Sequence, residues 1–174
     1  MRSVSRRGFT LIELLITIAI VALLASLAAP SFKVLLANAQ IRTGAEAILD
    51  GLQLARVEAI RRNARVIYTK DAQTGWTVTV ESDGSTVQTR SSSEGSPSVV
   101  VTVTPSAATK VTFDGLGRVR PNTDATASIT QLDATVPTTL VPAESARPRR
   151  ITVSSGGAVR LCDPNAPAGV GMGC

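Results

Sequence analysis

The N-terminal segment Arg6-Arg7-Gly8-Phe9-Thr10-Leu11-Ile12-Glu13-Leu14 opens an apolar run that continues to Ala29, and the rest of the chain is organised around it. The 21 residues from Phe9 to Ala29 carry a single charge, that of Glu13. At about 1.5 Å per residue, a helix of this length reaches roughly 30 Å, the thickness of the hydrocarbon core of a bilayer. The run therefore predicts a membrane-spanning helix.

Charge around the run predicts its orientation. Arg2, Arg6 and Arg7 precede it, and the first eight residues contain no acid. Because basic residues are retained on the cytoplasmic side, the leader should stay in the cytoplasm and the remainder should be exported. We therefore expect a single-pass inner-membrane protein with a periplasmic C-terminal domain.

Three other interpretations of the run are possible. A secretory signal with cleavage near Ser26-Leu27-Ala28 would have a shorter apolar core than this run. A twin-arginine signal at Ser5–Phe9 usually precedes a cofactor-binding protein, and the motifs of such proteins are missing from this sequence. A plain anchor explains the length but leaves Glu13 unexplained. A carboxylate in lipid costs a few kcal/mol unless it is paired, so Glu13 needs a partner.

Gly8-Phe9-Thr10-Leu11-Ile12-Glu13 resembles the processing site of type IV pilins and pseudopilins, with every one of the six positions matching. The resemblance implies that a prepilin peptidase cuts after Gly8 and that the new N-terminus at Phe9 is methylated. It also implies that Glu13 pairs with the N-terminal amine of a neighbouring pilin in a filament. Within lipid, such a pair offsets its desolvation only at short range, which favours one subunit register.

Composition narrows the remaining possibilities. The net charge is +5, but three arginines lie in the leader, so the mature chain carries 15 basic and 13 acidic residues. With basic and acidic residues so nearly balanced, the mature chain does not have the composition of a general nucleic-acid-binding polycation. The chain has no His, which excludes Ser-His-Asp, Cys-His and imidazole-metal sites, and its two Cys make no zinc constellation. We expect a protein that is not an enzyme and binds no cofactor or metal.

The organisation along the chain follows from residue patterns. We expect a leader at 1–8, a membrane half of the helix at 9–29, an amphipathic half at 30–63 and a periplasmic β domain at 64–174. Pro30 predicts a kink or local melting, and the pilin resemblance makes it part of filament assembly with Glu13. An apolar stripe follows at helical spacing, which favours packing on a sheet over a coiled coil. Its members are Ile41, Ala45, Ile48, Leu52, Ala55 and Ala59.

Beyond the helix the sequence predicts antiparallel β structure, because β-branched runs follow one another with tight turns and no room for crossover helices. Ser91–Pro97 and Pro121–Pro148 are expected to be long, mobile connections, the latter with an edge strand. The predicted strands are 65–69, 76–81, 86–90, 98–104, 110–113, 117–120, 128–132, 150–154 and 158–162.

Lys110–Arg118, with its strand-turn-strand pattern, is similar to an element of the minor pilins and pseudopilins called the FimT/GspH family. The resemblance implies an α+β fold in which a long N-terminal helix packs on two small antiparallel sheets. It also implies other pilins or pseudopilins as partners.

Cys162 and Cys174 belong to an exported chain, where a cysteine pair is usually a disulfide. The Gly/Pro/Ala-rich segment between them has little else to hold it, so a structural bridge is expected. A redox-active pair is disfavoured because Cys-x-x-Cys is missing.

Some FimT-like proteins are thought to bind DNA through a Gly-Arg-x-Arg motif near the C-terminus. The corresponding place here reads Gly157-Ala158-Val159-Arg160 and lacks one arginine, whereas Gly117-Arg118-Val119-Arg120 fits the pattern elsewhere. The alternative is that these arginines line a solvated face or contact neighbouring subunits. Candidate DNA-binding residues are Arg118, Arg120 and Arg160, with a separate basic patch of Arg147, Arg149 and Arg150.

The sequence thus predicts a minor type IV pilin that helps to initiate or cap pilus assembly. A DNA-binding pilus subunit for natural transformation and a type II secretion pseudopilin are the alternatives.

Overall fold

The computed structural model describes residues 9–167, 169 and 172–174. One long helix, α1 (Leu11–Arg62), precedes nine strands. The strands are β1 (Val66–Lys70), β2 (Trp76–Val80), β3 (Thr86–Arg90), β4 (Val100–Thr104), β5 (Lys110–Phe113), β6 (Val119–Arg120), β7 (Gln131–Thr135), β8 (Arg149–Val153) and β9 (Val159–Cys162). The fold is the expected α+β arrangement.

Helix α1 is capped at both ends. The Thr10 hydroxyl accepts a hydrogen bond from the Glu13 backbone N–H at 3.3 Å, which satisfies one of the free donors of the first turn. At the other end Asn63 adopts the left-handed conformation with φ 46°, and its N–H bonds to the carbonyls of Ala59 and Ile60. Asn tolerates this conformation better than most residues, so it ends the helix.

Pro30 does not interrupt α1. The expectation of local melting is wrong, because the helix continues through Pro30 on both sides. Proline removes one intrahelical donor, so the loss is confined to one hydrogen bond while the neighbouring turns keep theirs. The first fully buried residue of the helix is Ala37, two turns later.

The strands form two sheets in which every ladder is antiparallel, as predicted. The first sheet has the order β3-β2-β1-β5-β6 and the second has the order β4-β7-β8-β9. Helix α1 packs on both sheets with the predicted stripe. Ile41, Ala45, Ile48, Leu52, Ala55 and Ala59 are all fully buried.

Two helical glycines allow the first sheet to approach α1 closely. A Cβ on Gly51 would lie 2.6 Å from the Trp76 ring, and a Cβ on Gly44 would lie 2.8 Å from the Thr74 methyl group. The Trp76 Nε1–H donates to the Ala47 carbonyl at 2.9 Å, so the buried ring has its polar atom satisfied. The single tryptophan thereby ties β2 to the helix.

The connection 121–148 differs from the prediction. The strand expected at 128–132 is β7 (Gln131–Thr135), and it is an interior strand between β4 and β8 rather than an edge. Ile129 and Leu132 are both buried but lie three residues apart, so one regular strand cannot turn both to the same face. The Ile129 N–H instead donates to the Lys110 carbonyl of β5 in the first sheet, and β7 begins after Thr130.

Candidate assembly surface and arginine sites

The first half of α1 is apolar and uncovered. Every residue from Phe9 to Lys33 is exposed, and this part of the helix is long and apolar enough to cross a membrane. Side chains of Leu11, Ile12, Leu15, Ile16, Ile18, Ile20, Val21, Leu23, Leu24 and Leu27 remain more than half exposed. So large an exposed apolar surface is typical of a site that contacts a membrane or another protein.

Glu13 lies in the first turn of this uncovered helix, where the positive end of the helix dipole favours an acidic residue. Its backbone N–H is held by Thr10, so its carboxylate projects from a well-defined turn. Gly8 lies outside the described residues, and Phe9 precedes the helix with its side chain exposed. The predicted partner of Glu13 would belong to another subunit, and the pairing stays a prediction.

Cys162 and Cys174 form the predicted disulfide, with their Cα atoms 5.1 Å apart. The tail is also held through Asp163, whose N–H donates to the Met172 carbonyl and whose carbonyl accepts from the Cys174 N–H. The disulfide therefore closes a tail that the backbone already folds against β9.

Two of the candidate arginines serve one turn of the first sheet. Arg118 and Arg120 both approach the Asp114 carboxylate, with the shortest N–O distances at 3.3 and 3.0 Å. Asp114 also accepts from the backbone N–H groups of Arg118 and Leu116, and these hydrogen bonds lower the pKa of its carboxyl group. The pattern Gly-Arg-x-Arg at 117–120 therefore supports the β5–β6 turn.

The arginines of β8 also carry carboxylate partners. Arg150 donates two hydrogen bonds, of 2.6 and 3.1 Å, to the Asp133 carboxylate of β7. The two residues are directly opposite in the β7–β8 ladder, and this contact raises the pKa of Arg150. Arg149 donates to Asp163 at 3.0 Å. Because successive side chains alternate across a sheet, Arg149 and Arg150 point to opposite sides.

Arg147 and Arg160 differ from the other four. Both are exposed, and within the described residues neither forms an ion pair. Arg160 lies on β9 opposite Thr152, whereas the Arg147 backbone N–H donates to the Asn38 side chain on α1. The three arginines expected to form one patch are therefore separated. Arg147 lies beside helix α1, whereas Arg149 and Arg150 lie on opposite sides of the second sheet.

The first glycines of the two arginine motifs touch each other. Gly117 and Gly157 have φ of 73° and 81°, and a Cβ on Gly157 would lie 1.8 Å from the Gly117 carbonyl oxygen. That same oxygen accepts a hydrogen bond from Arg56 on α1 at 3.1 Å. Beside this contact, the Val119 N–H of the first sheet bonds to the Ser155 carbonyl. The glycines join the two sheets and the helix.

Comparison with known proteins agrees with this architecture. Residues 44–157 match the family described as type II transport protein GspH, and residues 4–29 match the prokaryotic N-terminal methylation motif. The chain belongs to the GspH family. It is a type IV pilin-like protein of the GspH/FimT family, as the sequence predicted.

Two crystal structures of the type IV minor pilin FimU of Pseudomonas aeruginosa have a similar fold. Each is 18% identical to this chain with a TM-score of 0.52. The matches cover 73% and 74% of this chain and 97% and 92% of the FimU chains. No curated protein sequence matches. Among the described residues, no group of three or more His, Cys, Asp or Glu is placed to hold a metal ion.

Sequence reasoning missed several residues that fix this architecture. Asn38, Arg56 and the Gly117–Gly157 contact all act between segments that are distant in the chain. Only the Thr10–Glu13 spacing carried a local signal, since Ser or Thr followed three residues later by Glu is typical of a capped helix start.

Proposed function

We propose that this GspH-family protein is a minor type IV pilin that takes part in initiating or capping pilus assembly. The observation that supports this best is the division of one continuous helix. Its apolar half is uncovered, while its second half is fixed rigidly to a β domain. Such a helix can be withdrawn from a membrane into a bundle of like helices and carry a small domain with it.

The proposed route starts in the inner membrane, with the leader in the cytoplasm and the domain in the periplasm. Prepilin peptidase removes residues 1–8 and leaves Phe9 as the methylated N-terminus. Residues 9–29 then form the membrane half, 30–63 the half with Pro30 that joins it to the domain, and 64–174 the β domain. Glu13 pairs with the terminal amine of a neighbouring pilin and so selects the register of the bundle.

Glu13→Ala is the test of this proposal. The variant should insert into the membrane as well as the wild type, because it removes a charge from lipid, but its incorporation into pili should fall strongly. N-terminal sequencing of the wild type should begin at Phe9. Glu46→Ala is the control, since Glu46 lies on the same helix in an exposed ion pair with Arg42.

A mature start near Ala29 would show an ordinary secretory signal and remove the filament proposal. Incorporation of Glu13→Ala at the wild-type level would remove the pairing role. The control variant should assemble normally in either case.

Two further roles are distinguished by the phenotype of a deletion strain. The description of the matching family favours a pseudopilin of a type II secretion system, for which loss of the gene should stop secretion and leave pili intact. Loss of pili with normal secretion supports the proposed role instead. DNA capture for natural transformation is favoured by the exposed Arg160 on β9. We regard a structural role without catalysis as the function in all three cases.

A further inference from the structure

The exposed apolar surface of α1 extends beyond the predicted span. Phe32, Leu35 and Leu36 remain at least half exposed after Pro30. From Leu11 to Leu36 the helix is about 39 Å long at 1.5 Å per residue, against roughly 30 Å for the hydrocarbon core. Tilt alone would need about 40° to submerge it, which is the upper limit of the usual range of helix tilts and about twice the average. The length is closer to that of a bilayer with its headgroup layers, roughly 40–45 Å.

A loop of the β domain reaches the same level of the helix. Leu140 and Pro142 line a cavity of about 320 Å³ together with Pro30 and Lys33. Leu140 is 45% exposed, whereas its neighbour Val141 is buried in the core. Because Val141 points inward, Leu140 is turned outward beside the end of the apolar run.

The loop is fixed in this position by Asn38. The Asn38 side-chain amide donates to the Ser145 carbonyl at 3.0 Å, and its oxygen accepts from the Arg147 N–H at 2.8 Å. Turn hydrogen bonds from Leu140 and Ser145 to Pro137 and Pro142 stiffen it further. The position of Leu140 relative to the helix is therefore set by the fold.

We propose that this loop, residues 137–147, is a membrane-surface contact that rests in the outer headgroup layer of the inner membrane before assembly. The proposal depends on the proposed membrane-anchored state. The occupant follows from continuity, because Leu140 extends the same apolar surface that lipid covers along residues 9–29. Lys33 and Arg147 flank the loop with positive charge, opposed only by Glu144 among the charged residues lining its two cavities, and suit anionic headgroups. The contact would hold the domain upright on the membrane.

Depth-dependent quenching tests the contact. The full mature chain is reconstituted in vesicles of phosphatidylethanolamine and phosphatidylglycerol that contain brominated lipid. Three variants, Leu140→Trp, Leu24→Trp and Leu116→Trp, place a reporter at the loop, in the span and at the far end of the domain. Trp76 is buried and is the same in all three, so it adds a constant background.

Quenching at position 140 should be several-fold greater than at position 116, which is 69% exposed and lies beside the end of α1. Adding Asn38→Ala to Leu140→Trp should reduce it, because the loop is then no longer held against the helix. Equal quenching at 140 and 116, with strong quenching at 24, would overturn the contact while leaving the anchor intact. Absence of quenching at 24 would overturn the anchor and the contact together.

Discussion

At the level of single residues, Gly157 is a position where the fold leaves no room for a side chain. Its φ of 81° favours glycine, and a Cβ would meet the Gly117 carbonyl at 1.8 Å. Gly157→Ala should therefore lower the free energy of unfolding by at least about 2 kcal/mol, from backbone strain and separation of the sheets. Thermal and urea denaturation of the mature chain in detergent would measure the change.

Gly156→Ala is the matched control for this variant. Gly156 has no positive φ, and a Cβ there would approach only the Ser154 hydroxyl, at 3.9 Å. Its stability should stay within about 0.5 kcal/mol of the wild type, as for most surface substitutions. If both variants were equally stable, the contact between the two glycines would carry no energetic weight.

The free energy of unfolding should depend on pH through Glu58. Hydrogen bonds from Arg61 and Arg62 lower the pKa of Glu58 from 4.5 to about 2. Its side chain is only 13% exposed. Because the folded pKa lies below the unfolded one, this stabilisation is complete above about pH 4.5 and disappears as the pH falls towards 2.

The comparison of Glu58→Gln with the wild type measures this effect. The variant should be less stable than the wild type at about pH 7, and the difference should shrink at about pH 3. Glu46→Gln changes a much more exposed ion pair, so its stability should stay close to that of the wild type at both pH values. If the stability difference between Glu58→Gln and the wild type did not change with pH, the stabilisation by Glu58 would come from packing and not from its charge.

At the scale of elements, the C-terminal tail depends on its disulfide. Cys162 and Cys174 are 12 residues apart, and closing a loop of that size contributes about 3 kcal/mol in the chain-entropy account. The double variant Cys162→Ser/Cys174→Ser should unfold more easily by about 2–3 kcal/mol. Limited proteolysis should then cut within 163–173 before the rest of the domain.

Reduction provides the control for this prediction. Dithiothreitol should destabilise the wild type by a similar amount and leave the double variant unchanged. Tail protection that survives reduction would show that the hydrogen bonds of Asp163 and its ion pair with Arg149 hold it without the disulfide.

At the scale of the whole molecule, the arrangement of arginines limits DNA binding. Four of the six candidates have carboxylate partners, which leaves Arg147 and Arg160 to meet phosphates. Two contacts predict a slope of about −2 for log affinity against log salt, and a Kd of about micromolar or weaker at physiological salt. Useful capture would then require several subunits acting together.

Mobility-shift titrations at two salt concentrations measure this binding. Arg147→Ala/Arg160→Ala should abolish it, whereas Arg42→Ala, which removes an exposed and ion-paired arginine from α1, should not. Binding that is insensitive to salt, or unchanged in the double variant, would exclude these two residues. Lack of binding at low salt would leave the assembly role alone.

Much of this fold could be predicted from residue patterns, because the strongest signals in the chain are local. The apolar run from Phe9, the buried stripe from Ile41 to Ala59 and most strand positions follow from periodicities of 3.6 and 2 residues. The disulfide followed from export and from having only two cysteines. The placement of β7 was less accurate, since Ile129 is buried without belonging to the strand.

The contacts between polar groups could not be predicted in this way, because they form between segments that are distant in the chain. Asn38 lies 107 residues from the Ser145 carbonyl that it binds, and the Gly117–Gly157 contact joins two separate sheets. Asp133 and Asp163 neutralise arginines that, in the sequence, form a basic patch. The local density of charge can be counted along the sequence. Which charged residues form ion pairs depends instead on strand register and on which strands become neighbours. Register and strand order are properties of the folded backbone, and residue spacing in the sequence does not predict them.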